Sequence, residues 1–167
     1  MSNSNESFLK EKNEKEGSPK IITIDHTKPF DPAAFFGAGW KTADTKIEDA
    51  LHPLLEVDPA KIQLETMVTT DERFITREEK IRRLKEAGYT LLDATVARAL
   101  FFENPHSIPK SWKERVDGRA IIIAFDGTEL ISPFGDHCTP CLYWGDDDRL
   151  NWYSSTYDNN VLRPSAV

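Results

Sequence analysis

The chain has 167 residues, 39% of them hydrophobic and 29% charged, the balance of one ordinary globular domain that can bury a core without cross-links. A net charge of −7 argues against nucleic acid as a partner, because affinity for a phosphate backbone comes largely from clustered Lys and Arg. The longest strongly apolar stretch, Ala120 to Phe125, falls far short of the roughly 20 residues that span a bilayer, so no membrane partner is expected.

Residues 1–20 are rich in Ser, Asn, Glu and Lys, and read as a disordered tail that cannot offset its ordering entropy by burial. They hold no apolar run behind a basic start, which predicts no secretory signal and a cytoplasmic location. A single α+β domain is expected over 21–167. It opens on the β-favouring run Ile21 to Ile24. Asp31, Pro32 and Gly37 then have the order of N-cap, first helical position and stop, with Phe30, Phe35, Phe36 and Trp40 as core anchors.

Between Lys46 and Leu55 the apolar residues follow helical spacing, interrupted by Pro53. Ile62, Leu64 and Thr66 alternate with polar residues as on a half-buried strand. Thr76 and Glu79 make a capping-box pattern for a helix that turns Ile81, Leu84 and Ala87 inward and stops at Gly88. Its basic residues Arg73, Arg77, Lys80, Arg82, Arg83 and Lys85 alternate with glutamates and read as a solvated face. A second helix is predicted from Asp93, burying Val96, Ala97, Leu100 and Phe101 and ending before Pro105. Trp112 should dock from a short turn.

From Arg119 the period changes to that of strands. Asp126-Gly127 reads as a two-residue hairpin turn after Ala120 to Phe125, with Thr128 to Ile131 returning antiparallel. Cys141 to Trp144 and Leu150 to Tyr153 form a second hairpin around Gly145-Asp146-Asp147-Asp148. The expected architecture is therefore an N-terminal helical half packed on a C-terminal antiparallel β-meander of about four strands.

The ordered segments RLKEAGYTLLDATVARALFFENPHSIPKSWKERV, FDGT and CLYW, followed by a Trp-containing hairpin, resemble a group of small bacterial proteins of uncharacterised activity. The resemblance covers roughly residues 25 to 167. It implies a recurring single-domain unit and carries no activity, cofactor or site residue with it.

Chemistry-bearing residues are few. Cys138-Thr139-Pro140-Cys141 has the spacing of a redox or metal motif, and His137 adds a third potential ligand. A thioredoxin-like helix from Cys138 would have to run through Gly145 and three aspartates, and the chain left after Cys141 is too short for the rest of such a domain. Zinc lacks a fourth local ligand, and the two cysteines are expected to be structural thiols kept reduced in the cytoplasm. Asp146, Asp147 and Asp148 lack the spacing of a calcium loop. Asp93, Asp126, Glu129, Asp136 and Asp158 could supply a carboxylate pair, yet no nucleophile elbow or phosphate loop accompanies them, so no catalytic residue and no cofactor is assigned.

The aromatic residues of the last hairpin point elsewhere. Strand alternation sets Tyr143 and Tyr153 on one face and Leu142, Trp144, Leu150 and Trp152 on the other. With Tyr157 and the aspartates Asp146 to Asp148, the tyrosines would make an acidic aromatic platform for a protein or a sugar. The leading expectation is a non-catalytic binding or protein-interaction module. The alternative is a small metal- or thiol-dependent enzyme centred on His137, Cys138 and Cys141, and self-association is a third reading.

Overall fold

The computed structural model describes residues 21–43, 56–103, 108–156 and 164–167. The expected tail over 1–20, the helical pattern over 46–55, Tyr157 and Asp158 lie outside these. Among the described residues there are three α-helices, α1 (Pro32–Phe36), α2 (Arg77–Glu86) and α3 (Ala94–Glu103). The strands are β1 (Ile22–Thr23), β2 (Lys41–Thr42), β3 (Glu56–Val57), β4 (Leu64–Glu65), β5 (Arg115–Val116), β6 (Arg119–Ala120), β7 (Ile122–Ala124), β8 (Leu130–Ile131), β9 (His137–Trp144), β10 (Leu150–Thr156) and β11 (Ser165–Ala166). None of the described helices is long and apolar enough to cross a membrane.

The helix ends follow their sequence signals. Asp31 accepts a hydrogen bond from the Ala33 amide at 3.1 Å, Pro32 opens α1, and Gly37 closes it at φ 103°. Thr76 Oγ1 accepts from the Glu79 amide at 3.2 Å, and after α2 the Tyr89 amide reaches back to the Leu84 carbonyl at 3.0 Å. Asp93 Oδ1 takes the Thr95 and Val96 amides at 2.9 and 3.0 Å, which fixes the start of α3. Trp112 docks as expected, from a 3-10 turn at Lys110–Lys113, and is almost fully buried.

The seven-stranded sheet has the order β2-β8-β9-β7-β11-β4, with β10 paired to β9, and it is mixed because β11 runs parallel to β7. Two small sheets, β1 with β3 and β5 with β6, complete the set. The architecture is thus a mixture of helices and strands, with a topology different from a four-strand meander. The main sheet recruits β2 and β4 from the N-terminal half.

The largest difference lies at Asp126-Gly127. Strands β7 and β8 both pair antiparallel with β9, β7 against Tyr143, Leu142 and Cys141, β8 against Cys138 and His137. They run in the same direction along one edge of β9 and are not a hairpin. Residues 125–129 bulge out between them, closed by a Thr128 amide bond to the Phe125 carbonyl at 3.2 Å. Pro140 stands opposite this gap. Its carbonyl accepts from the Phe125 amide at 2.9 Å, and a residue's N–H and C=O point to the same side of a strand, so its absent N–H faces the bulge rather than a regular ladder. A proline is accommodated in the middle of an interior strand for this reason.

The core forms on one face of β9 and β10. Leu142 and Leu150 are buried there, with Trp144 and Trp152 packed against them, and α3 covers them with Val96, Ala97 and Leu100. A second cluster joins Phe30, Ala94, Leu130 and Cys138, flanked by Phe35, Phe36 and Trp40. Trp152 touches both, with its ring 4.8 Å from Phe35 and 5.6 Å from Phe101.

Candidate functional site

Strand register separates the residues of the C-x-x-C segment. An odd separation along a strand of period two puts side chains on opposite faces. Cys138 faces Leu130 and the Phe30 cluster, whereas Cys141 lies between Ala124 and Tyr153 on the other side. Both are buried, and neither is in a disulfide. Their sulfurs lie near the carbonyls of Asp136 and Thr139, and burial together with the charge of Asp136 pushes the Cys138 thiol pKa up, away from the reactive thiolate. The third member of the alternative set, His137, is exposed and pairs with Glu129. The structure does not bring the three together, and among the described residues no group of three His, Cys, Asp or Glu side chains is placed to hold a metal ion.

The acidic tip is largely engaged. Asp148 Oδ1 accepts from Trp144 Nε1 at 2.7 Å and from Lys113 Nζ at 3.2 Å, and these bonds lower its pKa. The same ammonium sits 3.9 Å from the centroid of the Trp144 ring, a cation–π contact. Asp146 pairs with Arg115. Asp147 accepts the Arg149 amide at 3.3 Å and otherwise remains exposed. The tip is therefore docked onto the segment 113–115.

Tyr143 and Tyr153 do share a face. Tyr153 stands opposite Cys141, and Tyr143 opposite Asn151. The two rings meet edge to face with centroids 6.5 Å apart, and Tyr153 is 37% exposed.

The expected carboxylates scatter. Asp93 caps α3 and pairs with His26 at 3.1 Å, Glu129 pairs with His137, and Asp136 accepts the Ser132 hydroxyl at 3.2 Å. Asp126 is the exception. It is essentially sealed from solvent, with Lys80 Nζ 2.7 Å from Oδ2 and Arg77 Nε 3.2 Å from Oδ1. Ser165 Oγ donates to Oδ2 at 2.5 Å and Thr139 Oγ1 to Oδ1 at 3.3 Å, while Arg77 Nη2 donates to the Asp126 carbonyl at 3.0 Å. Burial alone would raise the Asp126 pKa, but the charges of Lys80 and Arg77 outweigh it and hold the carboxyl below its ordinary range.

This cluster ties α2, the 125–129 bulge, β9 and β11 to one carboxylate. Sequence pattern alone places Arg77 and Lys80 on a solvated face and Asp126 in a turn. The available signal was spacing, because Arg77, Lys80 and Leu84 fall at i, i+3 and i+7 and all three are buried. The neighbours of Asp126 are equally determined. A side chain at Gly127 would meet the Leu92 carbonyl oxygen at 2.8 Å, and Thr128 Oγ1 accepts the Ala94 amide at 2.9 Å, adding to the cap of α3. Each residue of the Phe-Asp-Gly-Thr segment thus has a structural task, Phe125 being buried in the core.

Comparison of the chain with family models, curated proteins and solved structures gives no match.

Proposed function

We propose that the protein is a non-catalytic interaction module that receives a basic protein segment on the outward face of the β9–β10 hairpin. One observation carries this reading: Tyr153 is exposed, with the half-buried Tyr143 edge to face against it, while Leu142 and Leu150 of the same two strands are buried in the core on the other face. Tyrosine at a surface offers a large rigid contact area at small entropic cost, with a hydroxyl at its rim. Asp147 and the overall charge of −7 favour a cationic partner. Asp146 and Asp148 act through the tip's attachment to Arg115 and Lys113 rather than as contact residues.

The test is a binding screen of the full chain against immobilised basic peptides and oligosaccharides, repeated with Tyr143→Ala and Tyr153→Ala. Binding to peptides that falls about tenfold or more in either variant, at an unchanged urea midpoint, supports the proposal, since a central aromatic anchor is worth that much. Binding to oligosaccharides alone would replace the partner class. Steady-state turnover of any substrate, lost on a single carboxylate or thiol substitution, would overturn the non-catalytic reading.

A further inference from the structure

Strand β11 occupies an interior place in the main sheet although its two residues have small side chains. On one side the Ala124 amide donates to the Pro164 carbonyl at 2.9 Å. On the other, Gln63 and Val167 exchange amide–carbonyl bonds at 3.0 and 3.1 Å, while back on the β7 side the Leu92 amide donates to the Ala166 carbonyl at 3.2 Å. Ser165 and Ala166 have no solvent contact, so the channel between β4 and β7 admits only small side chains, and it reads one of them through the hydroxyl bond to Asp126.

We infer that the gap between β4 and β7 is a strand-receiving site, filled within the chain by residues 164–167 and open to an extended peptide of the same chemistry, Pro followed by Ser and Ala, whenever that strand detaches. Its affinity comes from main-chain hydrogen bonds to two flanking strands, and its selectivity from the sealed positions of the Ser and Ala side chains. Detachment is a local event. A methyl and a hydroxymethyl group bury little apolar area, and the backbone bonds they accompany are exchanged for bonds to water, whereas β9 and β10 are held by Leu142, Trp144, Leu150 and Trp152. Lys80 and Arg77 keep Asp126 in place as the acceptor for an incoming hydroxyl.

Amide hydrogen exchange on the full chain tests this without any substitution. The amides of Gln63, Leu92, Ala124 and Val167 are expected to exchange at one common rate, about tenfold or more faster than the β9–β10 ladder, as a separate opening unit does. A labelled peptide Arg-Pro-Ser-Ala-Val is expected to bind the same protein saturably, and a peptide with Leu in place of Ser about tenfold or more weaker, since the larger side chain overfills a sealed position. Exchange of the four amides only together with the β9–β10 ladder overturns the inference, as does equal binding of the two peptides.

Discussion

Lys80 Nζ lies 2.7 Å from Oδ2 of Asp126, and neither side chain reaches solvent. An ion pair in such a place contributes less to net stability than its geometry suggests, because both ions are stripped of water, but removing one partner strands the other in the interior. Asp126→Ala is therefore expected to cost about 3–5 kcal/mol, measured as a fall in the urea unfolding midpoint. A combined Asp126→Asn, Lys80→Met variant should recover a large part of that loss, because the buried charge leaves together with its partner.

The same carboxyl sets a pH dependence. Its folded-state pKa lies below the ordinary 3.8, so between the folded and unfolded values the unfolded chain binds the extra proton. Its contribution is complete above the unfolded value and is lost as pH falls through the folded one. Glu72 and Glu79, held at about 2 by hydrogen bonds from Arg83 and Arg82 respectively, change in the same direction. Urea midpoints are expected to fall below about pH 4 and to fall less steeply in Asp126→Asn.

Gly127→Ala puts a methyl group against two backbone carbonyls, 2.8 Å from Leu92 O and 2.9 Å from Leu91 O. Backbone gives way less easily than a side chain, and a loss of about 1–3 kcal/mol is expected. Gly37→Ala meets no atom within 4 Å and is strained only through its φ of 103°. It should cost about 1–3 kcal/mol, because φ 103° with ψ 176° is a conformation that essentially only glycine adopts. Denaturation of the two variants side by side separates crowding from backbone strain.

Cys138 and Cys141 should not form a bridge within the native chain, because their side chains leave β9 on opposite faces. Titration with an aromatic disulfide at neutral pH is expected to find both thiols nearly inert in the folded protein and both reactive in denaturant. A fast native reaction at Cys138 would contradict the burial that raises its pKa.

How far the chain could be read in advance depended on where each instruction lies. Caps are local, and Asp31, Thr76 and Asp93 start their helices where the pattern puts them. The alternation of Leu142, Tyr143 and Trp144 against Leu150, Trp152 and Tyr153 also survives intact, since a tight tip fixes the register. The two Asp-Gly pairs show where locality ends. Asp117 and Gly118 have φ 52° and 75°, the positive values a type I′ turn demands, and join β5 to β6. Neither Asp126 nor Gly127 is in that region, although the dipeptide is the same. What distinguishes them is distant: Arg77 and Lys80 draw Asp126 inward, and the backbone at Leu91 and Leu92 closes over Gly127. Those partners lie in another helix and another loop, and no window around Asp126 contains them.

The pairing of β11 has a consequence for how the chain acquires its structure. Ala166 meets Leu64, a partner on the order of 100 residues earlier, and joins a sheet whose other long ladder is a local hairpin. Loops that long are entropically costly to close before other contacts have shortened them. The β9–β10 hairpin and α3 can condense early, while the β4–β11–β7 ladder must wait for segments about 100 residues apart to be gathered and forms late, after the rate-limiting step of refolding. Substitutions at Ser165 should then alter the unfolding rate far more than the folding rate.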